Sequence, residues 1–346
     1  MALILPARTH PEVIVYAVGA RNLDKAKKYA KKHRIEKAYG SYQELLDDKD
    51  VDVVYNPLPN ALHHEWTMKA LAAGKHVLNE KPSANTAEDT ASMFDLAEQK
   101  GLVMMDAYHY RFHPAVLRVK EIIESKTIGK LKTVTAKLIV PKGITAEGDI
   151  RYDFALGGGA LMDMGVYTVN CIQYMTSSRS VEVTDATTEL YAPKNKPESY
   201  ASNIDRTATA TLTLSDGIKG NLEVDLARPL RYGLIPTLDM SFKAEGVLGS
   251  VEIDNYVMPT LYHNITVNIR GGPISTEKVY KNRFGEREEW RTTYMYQLES
   301  FVDKVRGREP KAWVSKEDSV ATMKCVEKIY QKNGLGSRPK SAYIPV

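Results

Sequence analysis

The chain is poor in cysteine: Cys171 and Cys325 are its only two, far apart and in apolar surroundings. That excludes a disulfide framework and any zinc-type spacing, and it suits a reducing compartment with buried thiols. Long apolar runs are missing too. No stretch approaches the ~18 residues a membrane helix requires. Met1-Ala2-Leu3-Ile4-Leu5-Pro6 lacks a basic leader and is too short for a signal peptide. The expected location is therefore cytoplasmic, with no membrane partner. Charge of one sign is not in excess: 47 Lys and Arg face 43 Asp and Glu, a net +4. That surplus is too small and too scattered for a nucleic-acid partner. At 346 residues, with 43% hydrophobic and 26% charged side chains, the chain is globular and long enough for two domains. Tyrosine is abundant at 20 against 6 Phe, which suits polar clefts and sheet surfaces.

The first third alternates strand and helix patterns. Val13 to Val18 reads as a strand, short and β-branched, between Pro11 and Gly19. Leu23 to His33 reads as an amphipathic helix whose lysines form a solvated face. Ser41-Tyr42-Gln43-Glu44 is a capping box opening a further helix. Strands are expected at Val51–Tyr55, His76–Leu78 and Leu102–Ala107, and helices at His63–Ala73 and Thr86–Lys100, closed by Gly74 and Gly101. This order predicts a parallel sheet covered on both faces. Beyond it come a helix at Pro114–Ser125, a strand at Leu131–Val140 and a helix opened by Gly157-Gly158-Gly159 that runs to about Met175. Strand runs follow at Ala208–Leu214, Gly220–Leu226, Leu238–Ala244 and Val251–Ile253, spaced as in an antiparallel sheet. Helices at Tyr294–Val305 and after Ser315 close the chain.

A doubly wound sheet that binds a dinucleotide opens on a strand, a glycine-rich turn and a helix, which bring backbone N–H groups to the pyrophosphate. No G-x-G-x-x-G precedes Val13, and the run at Gly157 follows no strand and has Met162 where the last glycine would fall. Leu3, Ile4 and Ala7 sit at helical spacing. The expectation is that Met1–His10 is the tail of the missing element's helix and that the chain starts about 15 to 20 residues late.

From Pro11 onward the sequence resembles the Gfo/Idh/MocA oxidoreductase family. Carrying the resemblance are Gly40 to Leu46, Asn56-Pro57-Leu58-Pro59-Asn60 with His63, Ala73 to Pro82 including Glu80-Lys81-Pro82, and Gly157 to Tyr167. His109-Tyr110-Arg111-Phe112-His113-Pro114, and Tyr167 where many members have His, are most similar to the dimeric dihydrodiol dehydrogenase and NADP-dependent D-xylose dehydrogenase branch. The resemblance implies a Rossmann-like unit over residues 1–113, incomplete at its first strand. It implies a substrate and dimerisation unit over 114–346 with a large, open, mostly antiparallel sheet. It also implies a homodimer through that sheet.

Lys81 follows a strand at the carboxyl edge, where open α/β sheets bind ligands, and could polarise a carbonyl or lower a neighbouring phenol's pKa. Asp163 and Tyr167 are four apart on a predicted helix and share its face. By resemblance Lys81 and Tyr167 are the catalytic acid–base pair, and Asp163 places substrate hydroxyls. By the same resemblance Pro57, Leu58, Asn60 and His63 lie against the nicotinamide-ribose side of the cofactor, and Glu80 and Lys81 also contact the cofactor. Arg21 and Asn22 fall where an acid would select NAD; with no acid before Asp24, NADP is the expected cofactor. His109, Arg111 and His113 either line the substrate cleft or bond between the two units. His63 and His64, adjacent on a helix, point apart, so no metal site is expected.

The leading expectation is an NADP-dependent oxidoreductase acting on a sugar, a trans-dihydrodiol or a related hydroxy or carbonyl small molecule. Two alternatives stay open: a cofactor-independent lyase, isomerase or cyclase reusing the cleft, and a non-catalytic ligand- or protein-binding member.

Overall fold

The structure is a computed structural model that describes residues 2–146, 148–192, 203–281 and 291–344. The first third runs α1 (Ile4–Thr9), β1 (Ala17–Gly19), α2 (Leu23–His33), β2 (Lys37–Tyr39), α3 (Tyr42–Asp47), β3 (Val53–Asn56), α4 (His63–Ala72), β4 (His76–Asn79), α5 (Ala87–Gln99) and β5 (Met104–Asp106). Then come α6 (Pro114–Glu124), β6 (Leu131–Pro141), a π-helical turn (Leu161–Gly165) leading into α7 (Val166–Thr176), β7 (Glu182–Leu190), β8 (Asp205–Thr213) and β9 (Lys219–Arg228). The chain continues with β10 (Phe242–Gly246), β11 (Gly249–Ile253), β12 (Ile265–Ile269), β13 (Ile274–Glu277), α8 (Thr293–Val305) and α9 (Lys316–Lys332).

Local chemistry sets most helix ends. Asn22, Ser41, Thr86, Thr292 and Ser315 each accept a bond from a first-turn N–H. The expected box at Ser41 is half formed. Ser41 Oγ accepts from Glu44 N, but the Glu44 carboxylate takes the Gly40 N–H instead of that of Ser41. A complete box stands at Ser315 and Asp318.

The Rossmann-like parallel sheet is split. β1 pairs with β2, and β3, β4 and β5 form a separate parallel set. The strand expected from Val13 starts only at Ala17. Val13 and Val15 pack instead against Ala7 of α1 and Leu298 and Val302 of α8, while Ile14 is 85% exposed. Burial against helices has taken these residues out of the ladder. The three-stranded set is covered by α4 and α5 through Met68, Leu71, Val77, Met93, Phe94 and Met104.

The second sheet has the order β13-β12-β11-β10-β6-β9-β8-β7 and is mostly antiparallel, with β6 and β9 parallel. One face carries α7, where Val169 and Ile172 join Leu212, Leu222, Val224 and Phe242 in the largest core. The other face bears polar pairs such as Thr187–Thr209 and Thr266–Thr276. β7 and β13 escaped the sequence reading because they are rich in Thr, Glu and Ser and mostly uncovered, and β12, an alternating ITVNI run, was passed over for its shortness. β10 begins later than expected, at Phe242, since Leu238 lies in an exposed loop. No helix among the described residues is long and apolar enough to cross a membrane.

The tail after α9 ties the two sheets together. Arg338 is fully buried, donates to Asp205 at 2.8 Å and to the Gly158 carbonyl at 2.9 Å. Beyond it, Pro339 O accepts from Asn85, and Ser341 N donates to Asp89. Gly159 (φ +126°) passes so close to this knot that a Cβ would lie 2.2 Å from Asp205 Oδ1.

Candidate active site

Lys81 leaves the carboxyl end of β4, where parallel strands present their ligand edge. The Lys81–Pro82 peptide bond is cis. Lys81 Nζ donates to the Asp163 carbonyl at 2.8 Å and to Asp163 Oδ1 at 2.9 Å. Asp163 lies in the π-helical turn ahead of α7, an irregularity often found at functional sites. Its other oxygen accepts from Arg151 Nε at 2.8 Å, and Arg151 also pairs with Asp149. Burial alone would push the Asp163 carboxyl up; Lys81 and Arg151 overcome that and hold it below its ordinary value.

Tyr167 follows one turn later, its ring 4.9 Å from Lys81 Nζ. Its hydroxyl lies 3.1 Å from His109 Nε2. Burial pushes the phenol well above 10, with Tyr294, Glu80 and Asp163 acting the same way. This corrects the expectation that Lys81 lowers the phenol's pKa. The ammonium lies over the ring and bonds to Asp163, and burial outweighs it. His109 Nδ1 lies 2.9 Å from Thr293 Oγ1, and the ring packs on Tyr294 at 4.2 Å. Burial, helped by the Lys81 charge, takes His109 down to about 3.

A cleft of about 170 Å³ opens beside Lys81, lined by Pro57, Leu58, Asn60, Glu80, Ile150, Arg151, Leu156 and Asp163. Its wall is braced. Asn60 Nδ2 donates to the Gly157 carbonyl at 2.9 Å, and Ala61 N to the Leu156 carbonyl. His63 is buried behind the wall, 2.7 Å from both the Pro82 and Leu58 carbonyls. It spans two loops, and burial takes its ring down to about 4. Glu80 accepts from Tyr55 Oη at 2.5 Å, and burial raises its carboxyl.

The structure separates some residues that the sequence grouped. Arg111 turns away from Lys81: it bonds to Asp318 at 3.0 Å and to the Trp313 carbonyl, and its guanidinium lies over the Tyr174 ring. It secures the start of α9 and does not line the cleft. His113 caps α6 and packs on His263. Asn22 Oδ1 caps α2 by accepting from Lys25 N, while Arg21 beside it is exposed at the carboxyl end of β1. Ile150, Arg151 and Leu156 of the cleft, and Tyr55, Thr293 and Tyr294 behind it, were not foreseen. Arg151 and its neighbours lie in a loop with no periodicity to mark them.

The Gfo/Idh/MocA oxidoreductase family, NAD-binding Rossmann fold, matches residues 3–108, and the family's C-terminal domain matches residues 116–252. D-xylose 1-dehydrogenase (NADP(+)) 2 of Haloferax volcanii is 30% identical over 338 residues, 96% of this chain and 94% of that protein. Trans-1,2-dihydrobenzene-1,2-diol dehydrogenase of Sus scrofa is 34% identical over 227 residues, 66% of this chain and 63% of that protein. The structure of an aldose-aldose oxidoreductase from Caulobacter crescentus, complexed with glycerol, superposes with a TM-score of 0.79 at 25% identity, covering 95% of this chain and 92% of that one. The chain belongs to the Gfo/Idh/MocA oxidoreductase family.

Proposed function

We propose that this chain is an NADP(H)-dependent oxidoreductase that interconverts a hydroxyl and a carbonyl on a sugar, a trans-dihydrodiol or a related polyol. The observation that carries this reading is the Lys81–Asp163–Arg151 knot opening on the cleft, with Tyr167 under Lys81. An ammonium has three protons, and two of those on Lys81 go to Asp163. The third is free for an oxygen in the cleft. Each Asp163 oxygen accepts one bond from a cation and keeps capacity for a substrate hydroxyl. A cation beside a carboxylate suits a polyol that both donates and accepts.

The chemistry of the residues fits a nicotinamide nucleotide at both ends. Pro57 and Leu58 make an apolar wall beside the cationic side of the cleft. Arg21 is an exposed cation at the carboxyl end of β1, suited to a 2′-phosphate. Bound there, the nicotinamide supplies or takes up the hydride. The chain's own groups do the rest. Tyr167, held protonated through the neutral range, carries the proton for the substrate oxygen. Lys81 stabilises charge on that oxygen, and Asp163 with Arg151 fixes Lys81 and the neighbouring hydroxyls. As part of the same proposal, the polar outer face of the large sheet joins two copies in a homodimer; sedimentation equilibrium giving only monomer at micromolar concentration would remove that part.

The test is a fluorescence titration with NADPH and NADH, followed by turnover of aldoses and dihydrodiols. Micromolar binding that prefers NADPH, with NADPH- or NADP-dependent turnover, is expected. Turnover indifferent to added nicotinamide would replace this reading with redox-neutral chemistry in the same cleft.

A further inference from the structure

Tyr167 has a single hydrogen-bond partner among the described residues, His109. His109 has one further partner, Thr293 Oγ1. The three form a line from α8 to α7: Thr293 Oγ1, His109 Nδ1, His109 Nε2, Tyr167 Oη. A neutral imidazole donates from one nitrogen and accepts at the other, so the line has one of two directions.

Burial chooses between them. Thr293 is 1% exposed, and its hydroxyl proton has no acceptor among the described residues other than His109 Nδ1. If Nδ1 carried the proton, the Thr293 proton would be buried without a partner, which is costly. With Thr293 as donor, Nδ1 accepts and Nε2 carries the proton. Nε2–H then points at Tyr167 Oη and satisfies one of its lone pairs. The phenol's own proton then has no acceptor among the described residues; Tyr167 is 7% exposed against 1% for Thr293, so it is the hydroxyl of the two with an outlet, and Lys81 Nζ stands 4.9 Å from its ring centre.

We propose that His109 is a positioning residue for the reaction: set by Thr293 as the Nε2–H tautomer, it donates to Tyr167 Oη and leaves the Tyr167 proton aimed at the substrate oxygen. The proposal rests on the oxidoreductase reading above. In reduction, the carbonyl carbon gains a hydride from the reduced nicotinamide. Its oxygen gains the proton as the Tyr167 O–H bond breaks. His109 keeps its own proton and stabilises the phenolate through the existing bond until water returns a proton to Tyr167. His109 thus acts through Tyr167 and does not itself touch the substrate, which is the bonding role of the two that the sequence left open. The groups facing it are Tyr167 from α7, Thr293 and Tyr294 from α8, and Lys81 after β4.

Two measurements test this. The first needs no turnover. In the full chain labelled with ¹⁵N-histidine, the two-bond ¹H–¹⁵N spectrum at pH 7 reports each ring's tautomer, with His109→Gln assigning the signal. A neutral Nε2–H ring is expected, turning to a tautomer mixture in Thr293→Val. A neutral Nδ1–H ring or an imidazolium would overturn the proposal, whether or not the chain proves to be an oxidoreductase.

The second is kinetic. Gln presents an N–H near the Nε2 position, whereas Phe keeps the ring's bulk and loses the donor. His109→Phe is expected to lower kcat about 10-fold or more, with KM for NADPH and substrate within about 2-fold, and His109→Gln to restore most of the loss. The alkaline limb of kcat for reduction should move up by about one pH unit in His109→Phe, because the phenolate loses a donor. Thr293→Val, which removes one hydroxyl at constant shape, should fall between them and serves if His109→Phe does not fold. If Tyr167→Phe abolishes turnover while His109→Phe and Thr293→Val keep full kcat and an unmoved limb, the proposal fails and the oxidoreductase reading stands. Absence of nicotinamide-dependent turnover in the unaltered chain fails that reading instead, and the tautomer measurement still decides the geometry.

Discussion

The amine of Lys81 binds both the main-chain oxygen and the carboxylate of Asp163, 82 residues further along the chain. This double contact joins the ligand edge of β4 to the π-helical turn before α7. It brings the two halves of the chain together at the cleft. Lys81→Ala should therefore lower kcat/KM by about 10²–10³-fold, the scale seen when one charge-stabilising donor is lost. Asp163 would still be held by Arg151, so the urea midpoint should fall only modestly. Kinetics with the preferred substrate, alongside a urea melt, separate the two effects.

Arg21 sets the second prediction. Arg21→Ala should weaken NADPH binding about 10- to 100-fold and leave NADH nearly unchanged, since a charge-assisted phosphate bond contributes about 1.5–3 kcal/mol. Equal loss for both nucleotides would place the 2′-phosphate elsewhere.

Acid sensitivity follows from the buried rings. Burial lowers His109 and His113 to about 3 and His63 to about 4 from the ordinary 6.5. Between those pH values the unfolded chain takes up protons that the folded chain excludes. Stability is thus lost progressively as pH falls below 6.5. Asp163 adds a loss at still lower pH, because its folded carboxyl titrates below the ordinary 3.8. Thermal melts from pH 8 to 4 should show Tm falling below pH 6.5, and less steeply in His113→Phe. A Tm flat down to pH 4.5 would contradict this.

The knot at Arg338 yields a stability prediction. Both side chains of the Arg338–Asp205 pair are wholly buried, and Asp205 also accepts from Tyr330 and from Leu161 N. Arg338→Met would strand a buried carboxylate and should cost about 3–5 kcal/mol. Gly159→Ala should cost several kcal/mol as well, because its φ is positive and the added methyl would strike Asp205. Equilibrium unfolding in urea measures both.

Much of the architecture was legible because its cause is local. α2 spans the residues expected from its periodicity, Leu23–His33, with Asn22 as cap. Glu80-Lys81-Pro82 could be placed at a strand end because a short apolar run at Val77-Leu78 stands between Gly74 and Pro82. Lys81, Asp163, Asn60, Pro57 and Leu58, far apart in the chain, line one cleft. The Thr-rich β7 and the short β13 were not visible, since a strand with polar residues on both faces lacks the alternation that announces it; β12 alternates, but over only five residues.

The sequence by itself determined the element types, their caps and the identity of the charged groups at the strand end, because these depend on neighbours a few residues away. Only the tertiary structure decided the partners. Arg111 meets Asp318 across 207 residues, His109 meets Thr293 across 184, and Arg338 meets Asp205 across 133. It also withdrew Val13 and Val15 from the sheet into a cluster with α1 and α8. Such contacts depend on which faces the folded core brings together. A side chain's type states which bonds it can make, and burial decides which of those it must make.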